Sequence, residues 1–209
     1  MDECNHPGGL ELTERAFETC VLPDNAKVLD VGCGTGRTAA WLKKRFALQV
    51  TGIDISPEAI ALAKENVPDA EFFEGDGEFL DFPSYTFDCV LMECTLSLIS
   101  KPLEAVHEAF CVLKDGGKLI ISDLYFTGKA PENADGAGAL NIDAIRGLLD
   151  ELGFDILLFE DRKSDLVSYA ASLIFQHGSL KDHYKTGDDK SKLSYFLLVA
   201  SKDKRRGRG

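Results

Sequence analysis

Three glycines on alternate positions, Gly32, Gly34 and Gly36, follow a short apolar run that carries an acid, Val28-Leu29-Asp30-Val31. A helical pattern begins immediately afterwards, at Arg37. Glycine takes positive φ without strain and lets a ligand come close to the main chain. A glycine-rich turn from a strand into a helix N-terminus is a cradle for a nucleotide-like ligand in an open α/β sheet. The spacing here is G-x-G-x-G. The dinucleotide fingerprint G-x-G-x-x-G needs a glycine at position 37, where Arg37 stands, so an NAD-dependent enzyme is the poorest fit.

Further acids stand where such a site needs them. Asp54 lies eighteen residues beyond Gly36, followed by Ile55. A carboxylate there can accept both hydroxyls of a ribose through its two oxygens. Asp76, followed by Gly77, ends a third apolar segment, where an adenine amino group would fall. Glu93 and Cys94 end a fourth, and Asp123 a fifth.

These residues need a parallel sheet to bring them together. The spacing predicts a helix over about 13–21, then strands over 27–30, 49–54, 70–74, 87–93 and 118–124. Helices fill the gaps, starting at Arg37, Pro57 and Pro102. Ser56-Pro57 is a helix start, with serine as the cap and proline in the first turn. Asp115-Gly116-Gly117 reads as a turn. A long Gly-, Ala- and Asp-rich loop covers 125–140, and loops of that length are often binding segments. A helix over 141–152, a strand over 154–159, a helical region over 162–184 and a strand over 193–200 complete the chain. Alternation on this scale means one α/β domain, a parallel sheet with helices on both faces. The domain is expected over 1–201, with a basic, disordered tail over 202–209.

Composition narrows the function classes. The chain has 209 residues, enough for one full core, and its net charge is −12. The last eight residues carry five basic groups and one acid, so the body is near −16, which opposes nucleic-acid binding. No apolar run approaches the length of a membrane span, and the N-terminus lacks a signal-peptide pattern. Six cysteines without a C-x-x-C pair read as reduced thiols in a cytoplasmic protein, with no metal site.

The segment 28–36 resembles the first motif of class I S-adenosylmethionine-dependent methyltransferases. Gly52-Ile53-Asp54-Ile55-Ser56 resembles their second motif and Glu74-Gly75-Asp76 their third. Phe87-Asp88-Cys89-Val90 and Leu113-Lys114-Asp115-Gly116-Gly117 are similar to the segments around their fourth and fifth strands. The nearest flavour is the small-molecule branch, such as quinone-biosynthesis and arsenite methyltransferases. The resemblance implies a Rossmann-like, seven-stranded sheet of order 3-2-1-4-5-7-6, with strand seven antiparallel. It implies S-adenosylmethionine as cofactor, with the glycine turn under its methionine part, Asp54 on the ribose and Asp76 near the adenine. Cofactor contacts are therefore expected at Asp30, Gly32, Gly34, Gly36, Asp54, Ile55, Asp76, Gly77 and Glu93.

The acceptor side is less constrained. A sulfonium methyl is already activated, so alignment carries most of the catalysis, and a base is needed only for a protonated nucleophile. His6, Glu93, Cys94 and Asp123 are the candidate catalytic side chains. His6 also reads as a mobile surface residue, Cys94 as a buried apolar-like thiol and Asp123 as a strand-end cap. His107 and His177 both fall near the apolar stripes of their helices and read as core histidines. The leading reading is methyl transfer to a small-molecule acceptor. A thiol or metalloid acceptor, suggested by Cys94 with Cys4, and a non-catalytic cofactor-binding sensor or subunit stand as alternatives.

Overall fold

The computed structural model describes residues 6–128, 138–177 and 192–203. Its elements run in the order α1 (Gly9–Thr19), β1 (Lys27–Val31), α2 (Arg37–Phe46), β2 (Gln49–Asp54), α3 (Pro57–Asn66), β3 (Glu71–Glu74), β4 (Phe87–Glu93), α4 (Pro102–Val112), β5 (Leu113–Phe126), α5 (Ile142–Leu152), β6 (Phe154–Asp161), α6 (Lys163–His177) and β7 (Leu193–Lys202). A 3-10 turn, Leu96–Leu98, sits between β4 and α4.

The seven strands form one sheet of order β3-β2-β1-β4-β5-β7-β6. The pairs β1–β2, β1–β4, β2–β3 and β4–β5 are parallel, and β7 runs antiparallel to both β5 and β6. This is the expected topology. It sets the carboxyl ends of β1, β2, β3 and β4 along one edge, where the strand order reverses between β1 and β4.

Side-chain alternation explains the layers. In β1, Val28 faces the cluster built with Leu12, Ala16 and Phe17 of α1 and Ala39 and Leu42 of α2. Leu29 and Val31 face the opposite cluster, with Ala105, Val106 and Ala109 of α4 and Ile145 and Leu149 of α5. Cys89, Val90, Leu91 and Met92 of β4 have no exposed surface, as expected of a central strand covered on both faces. Each large apolar side chain buried this way contributes roughly 1.5–3 kcal/mol by leaving water. Local signals set the boundaries. Ser56 Oγ accepts the Ala59 N–H at the start of α3. Asn141 caps α5 and left-handed Gly153 closes it.

Several boundaries differ from expectation. α1 begins at Gly9 rather than near Thr13, because left-handed Gly8 starts it. β5 begins at Leu113 rather than Lys118. The expected turn is absorbed into the strand, with a register shift against β4 and Gly116 at φ 80°. β7 reaches Lys202, the residue expected to open the tail. The Lys202 ammonium is buried and donates to the Phe110 and Leu113 carbonyls, while residues 204–209 lie outside the described residues. His107 is exposed on α4 rather than in the core, and the side chain of His177 is outside the described residues.

Candidate functional site

The turn after β1 is bound to the end of β2. The Gly32 and Cys33 N–H groups both donate to the Ile53 carbonyl, at 2.8 and 2.9 Å. Asp54 adds a second tie. One carboxylate oxygen accepts the Gly34 N–H and the other the Ser56 N–H, each at 2.9 Å. Gly32 stands at φ 77°, and a Cβ there would collide with Thr95. Gly34 stands at φ 52° with open space where its Cβ would project, so the turn offers bare backbone to the cleft above it.

That cleft has two parts. The larger, about 280 Å³, is lined by Asp54, Ile55, Asp76, Gly77 and Leu98 among others. The smaller, about 180 Å³, is lined by His6, Asp30, Gly34, Arg37 and Thr38 among others. Gly32, Glu93 and Cys94 line both, so the parts meet over the end of β4. Ile55 and Leu98 are 72% and 75% exposed and give the larger part its apolar walls. Asp76 is exposed and accepts the Glu78 N–H with one carboxylate oxygen.

The smaller part is acidic. Asp30 is 3% exposed, and its Oδ2 has no hydrogen-bond partner. Burial, then the nearby carboxylates of Glu93 and Asp54, push the Asp30 carboxyl up to about 8, against a smaller opposing pull from His6. Glu93 is the hub. It accepts the Thr13 hydroxyl at 2.8 Å and the Thr38 hydroxyl at 3.2 Å, and it lies 3.6 Å from His6 Nε2. His6 Nδ1 is 3.1 Å from the Pro7 carbonyl oxygen. His6 is therefore a buried residue of the cleft wall rather than a mobile surface histidine.

Cys94 adopts φ 51°, a left-handed conformation that is strained for any residue with a Cβ. Its Sγ lies 3.1 Å from the Tyr195 hydroxyl, which donates to Ser122 Oγ. Asp123 stands apart. It is fully buried and outside the lining of both parts, and it accepts the Ser97 N–H, the Ser97 hydroxyl and the Leu124 N–H. Burial raises its carboxyl to about 6, with the Ser97 and Leu124 hydrogen bonds opposing. It ties the β4 loop to β5 through those hydrogen bonds. Cys4 lies outside the described residues.

Two threonines of the site, Thr13 and Thr38, carry no local sequence signal, because their partner Glu93 is 80 and 55 positions away. Leu98 was hidden for a similar reason. An apolar residue in a loop becomes informative only when its exposed face is seen to wall a cleft. Among the described residues, no group of three or more His, Cys, Asp or Glu could hold a metal ion. No described helix is long and apolar enough to cross a membrane.

Residues 29–121 match the family described as "Methyltransferase domain". The chain is 31% identical over 166 residues to phosphoethanolamine N-methyltransferase 1 of Arabidopsis thaliana, covering 74% of this chain and 34% of that protein. It is 37% identical over 111 residues to phosphatidylethanolamine N-methyltransferase of Cereibacter sphaeroides, covering 50% of this chain and 54% of that protein. Among solved structures, the [4+2]-cyclase SpnF superposes with a TM-score of 0.80 at 26% identity, covering 97% of this chain and 84% of that one. The chain spans about a third of the length of the plant relatives it matches. Residues 29–121 therefore carry a methyltransferase domain, and the chain is similar to the class I S-adenosylmethionine-dependent methyltransferases.

Proposed function

We propose that this protein binds S-adenosylmethionine in the two-part cleft and transfers its methyl group to a small-molecule acceptor. The observation that carries the proposal is the bare Gly34 backbone beside the unpartnered Asp30 Oδ2, both in an acidic cleft. A cofactor with a sulfonium and an ammonium group fits that charge.

Gly32, Gly34 and Gly36 would lie under the methionine part, with Asp30 and Glu93 beside it. Asp54 would meet the ribose, and its two backbone ties leave each oxygen further lone pairs for hydroxyls. Ile55, Asp76 and Gly77 would surround the adenine, Asp76 accepting from its amino group. When bound, the cofactor supplies a methyl group already activated for displacement. The chain's own task is alignment. His6 and Glu93 stand at the methionine end of the cleft and can hold a proton released by a protic acceptor.

The two relatives' names make amines the first acceptors to screen. Calorimetry with S-adenosylmethionine, followed by S-adenosylhomocysteine formation across amine, hydroxyl, carbon and thiol acceptors, tests the proposal. Binding with a Kd below about 100 μM and turnover with one acceptor class are expected. No binding at about 1 mM overturns it, and binding with no turnover favours a sensor or subunit. A second reading, a thiol or metalloid acceptor, is favoured by Cys94 in both parts of the cleft. Unchanged activity of Cys94→Ser on every acceptor ends that version. The free thiols of Cys20, Cys33, Cys89, Cys94 and Cys111 support a reducing, cytoplasmic setting, and the net charge of −12 supports a partner other than nucleic acid.

A further inference from the structure

Three side chains from neighbouring strands form a hydrogen-bonded relay behind the cleft. Cys94, one residue past β4, holds its Sγ 3.1 Å from the Tyr195 hydroxyl of β7. Tyr195 donates in turn to Ser122 Oγ of β5 at 3.2 Å. Tyr195 and Ser122 are fully buried, whereas Cys94 is half-buried and lines both parts of the cleft. The sulfonium of the proposed cofactor joins its adenosyl and methionine parts, so it would fall where the two parts of the cleft meet. The relay therefore ends beside the reacting methyl group.

Strand pairing does not need the relay. Glu93 with Ser122 and Leu124 with Tyr195 already pair in their ladders, and the Cys94 N–H donates to the Ser122 carbonyl at 2.8 Å. Cys94 nevertheless stays at φ 51°, a strained conformation that persists only where the surroundings enforce it.

Proton counting gives the thiol its role. Burial, then the neighbouring Cys94 and Asp123, hold the Tyr195 hydroxyl well above its ordinary value, so the phenol keeps its single proton and gives it to Ser122. In the contact with Tyr195 the donor is then the Cys94 thiol. With that proton turned inward, the sulfur can serve the cleft only as a hydrogen-bond acceptor.

We infer that Cys94 accepts an N–H hydrogen of the amine to be methylated, where the two parts of the cleft meet, and that Tyr195 is its positioning residue. The inference rests on the function proposed above and narrows the acceptor to a neutral amine that carries at least one N–H. An N–H held on the sulfur aims the nitrogen lone pair at the methyl group, which is the alignment that the reaction requires. The lone pair forms the N–C bond as the S–C bond breaks. The thioether leaves uncharged, and the nitrogen becomes an ammonium that releases a proton to His6, Glu93 or water.

Amines, alcohols and thiols of matched carbon skeleton are screened, and the amine with the highest kcat/KM is carried into the variants. Cys94→Ala is expected to raise the amine KM about three- to ten-fold, with S-adenosylhomocysteine affinity by calorimetry within about two-fold of wild type. Cys94→Ser should recover most of that loss, because its hydroxyl can donate to Tyr195 and accept from the amine. Tyr195→Phe should raise KM by itself and add nothing in the Cys94→Ala background, as expected of a residue that acts through the thiol. The calorimetric arm doubles as a control for folding. Unchanged KM in Cys94→Ala, equal impairment in Cys94→Ser, or a Tyr195→Phe effect that survives in the Cys94→Ala background overturns the inference. A fall in S-adenosylhomocysteine affinity that matches the rise in KM also overturns it and makes the relay a support of the fold. Wild type that binds S-adenosylmethionine but methylates no amine overturns the inference as well. Wild type that does not bind S-adenosylmethionine overturns the proposed function instead.

Discussion

Burial holds the Asp30 carboxyl near 8, far above the value of about 4 for a carboxyl in the unfolded chain. Between those values the folded protein keeps a proton that the unfolded chain releases. Unfolding free energy therefore falls as pH rises from about 4 to about 8, and the whole cost is present above 8. Asparagine carries no such cost. Asp30→Asn should gain stability over wild type as pH rises, by up to roughly 5 kcal/mol above pH 8. Urea denaturation of both proteins at pH 5 and pH 9 measures this, and a gap that does not widen with pH would mean that Asp30 is ionised in the fold. The same substitution should weaken S-adenosylhomocysteine binding, because an amide nitrogen replaces an acceptor of the ammonium. Sequence identified Asp30 as a strand-end acid beside the glycines. Its protonation was not legible, because that depends first on its burial in the fold and then on Glu93 and Asp54, which are distant in the chain. Arg37 shows the same limit: its identity argued against NAD, while its lack of a partner among the described residues is a property of the folded surroundings.

Elements were legible where a local signal marked them. Ser56-Pro57 capped α3 as expected, and the apolar run of β4 was placed at its observed bounds, Phe87–Glu93. The α4–β5 junction was not legible, because Asp115-Gly116-Gly117 has the composition of a turn while the sheet absorbs it as an irregularity. Part of what holds that junction comes from the far end of the chain. Lys202 Nζ donates to the Phe110 and Leu113 carbonyls at 2.7 and 2.9 Å and lies 4.0 Å from the Phe110 ring centroid. It thus satisfies carbonyls at the end of α4 that no intrahelical donor reaches. Lys202→Met keeps the apolar stem and removes the donors. Leaving those carbonyls unmatched should cost about 1–3 kcal/mol, read as a lower urea midpoint with an unchanged slope. Cofactor affinity should stay the same, since Lys202 lines neither part of the cleft.

At the scale of the molecule, Glu93 joins pieces that the sheet alone does not hold together. Its carboxylate meets Thr13 of α1, Thr38 of α2 and His6 of the segment before α1. Arg15 of α1 also reaches Glu160 of β6, an exposed pair worth little by comparison. The N-terminal wall of the cleft is therefore fastened mainly through one buried acid, together with Leu12, Ala16 and Phe17 packed on the sheet. Removing that acid should loosen the wall more than the sheet. In Glu93→Ala, amide hydrogen exchange across residues 6–19 should quicken about ten- to hundred-fold, as expected when hydrogen bonds to a charged group worth roughly 1.5–3 kcal/mol are lost. Exchange in β4, β5 and β7 should change little, because those strands are held by their own ladders and by both core clusters. A double-mutant cycle with Thr13→Val then separates fastening from general support. Coupling near 1 kcal/mol between the two substitutions is expected for partners 2.8 Å apart. Additive effects, with protection falling evenly over the whole sheet, would instead make Glu93 a prop of the fold, and the N-terminal wall would have to be held by its apolar face.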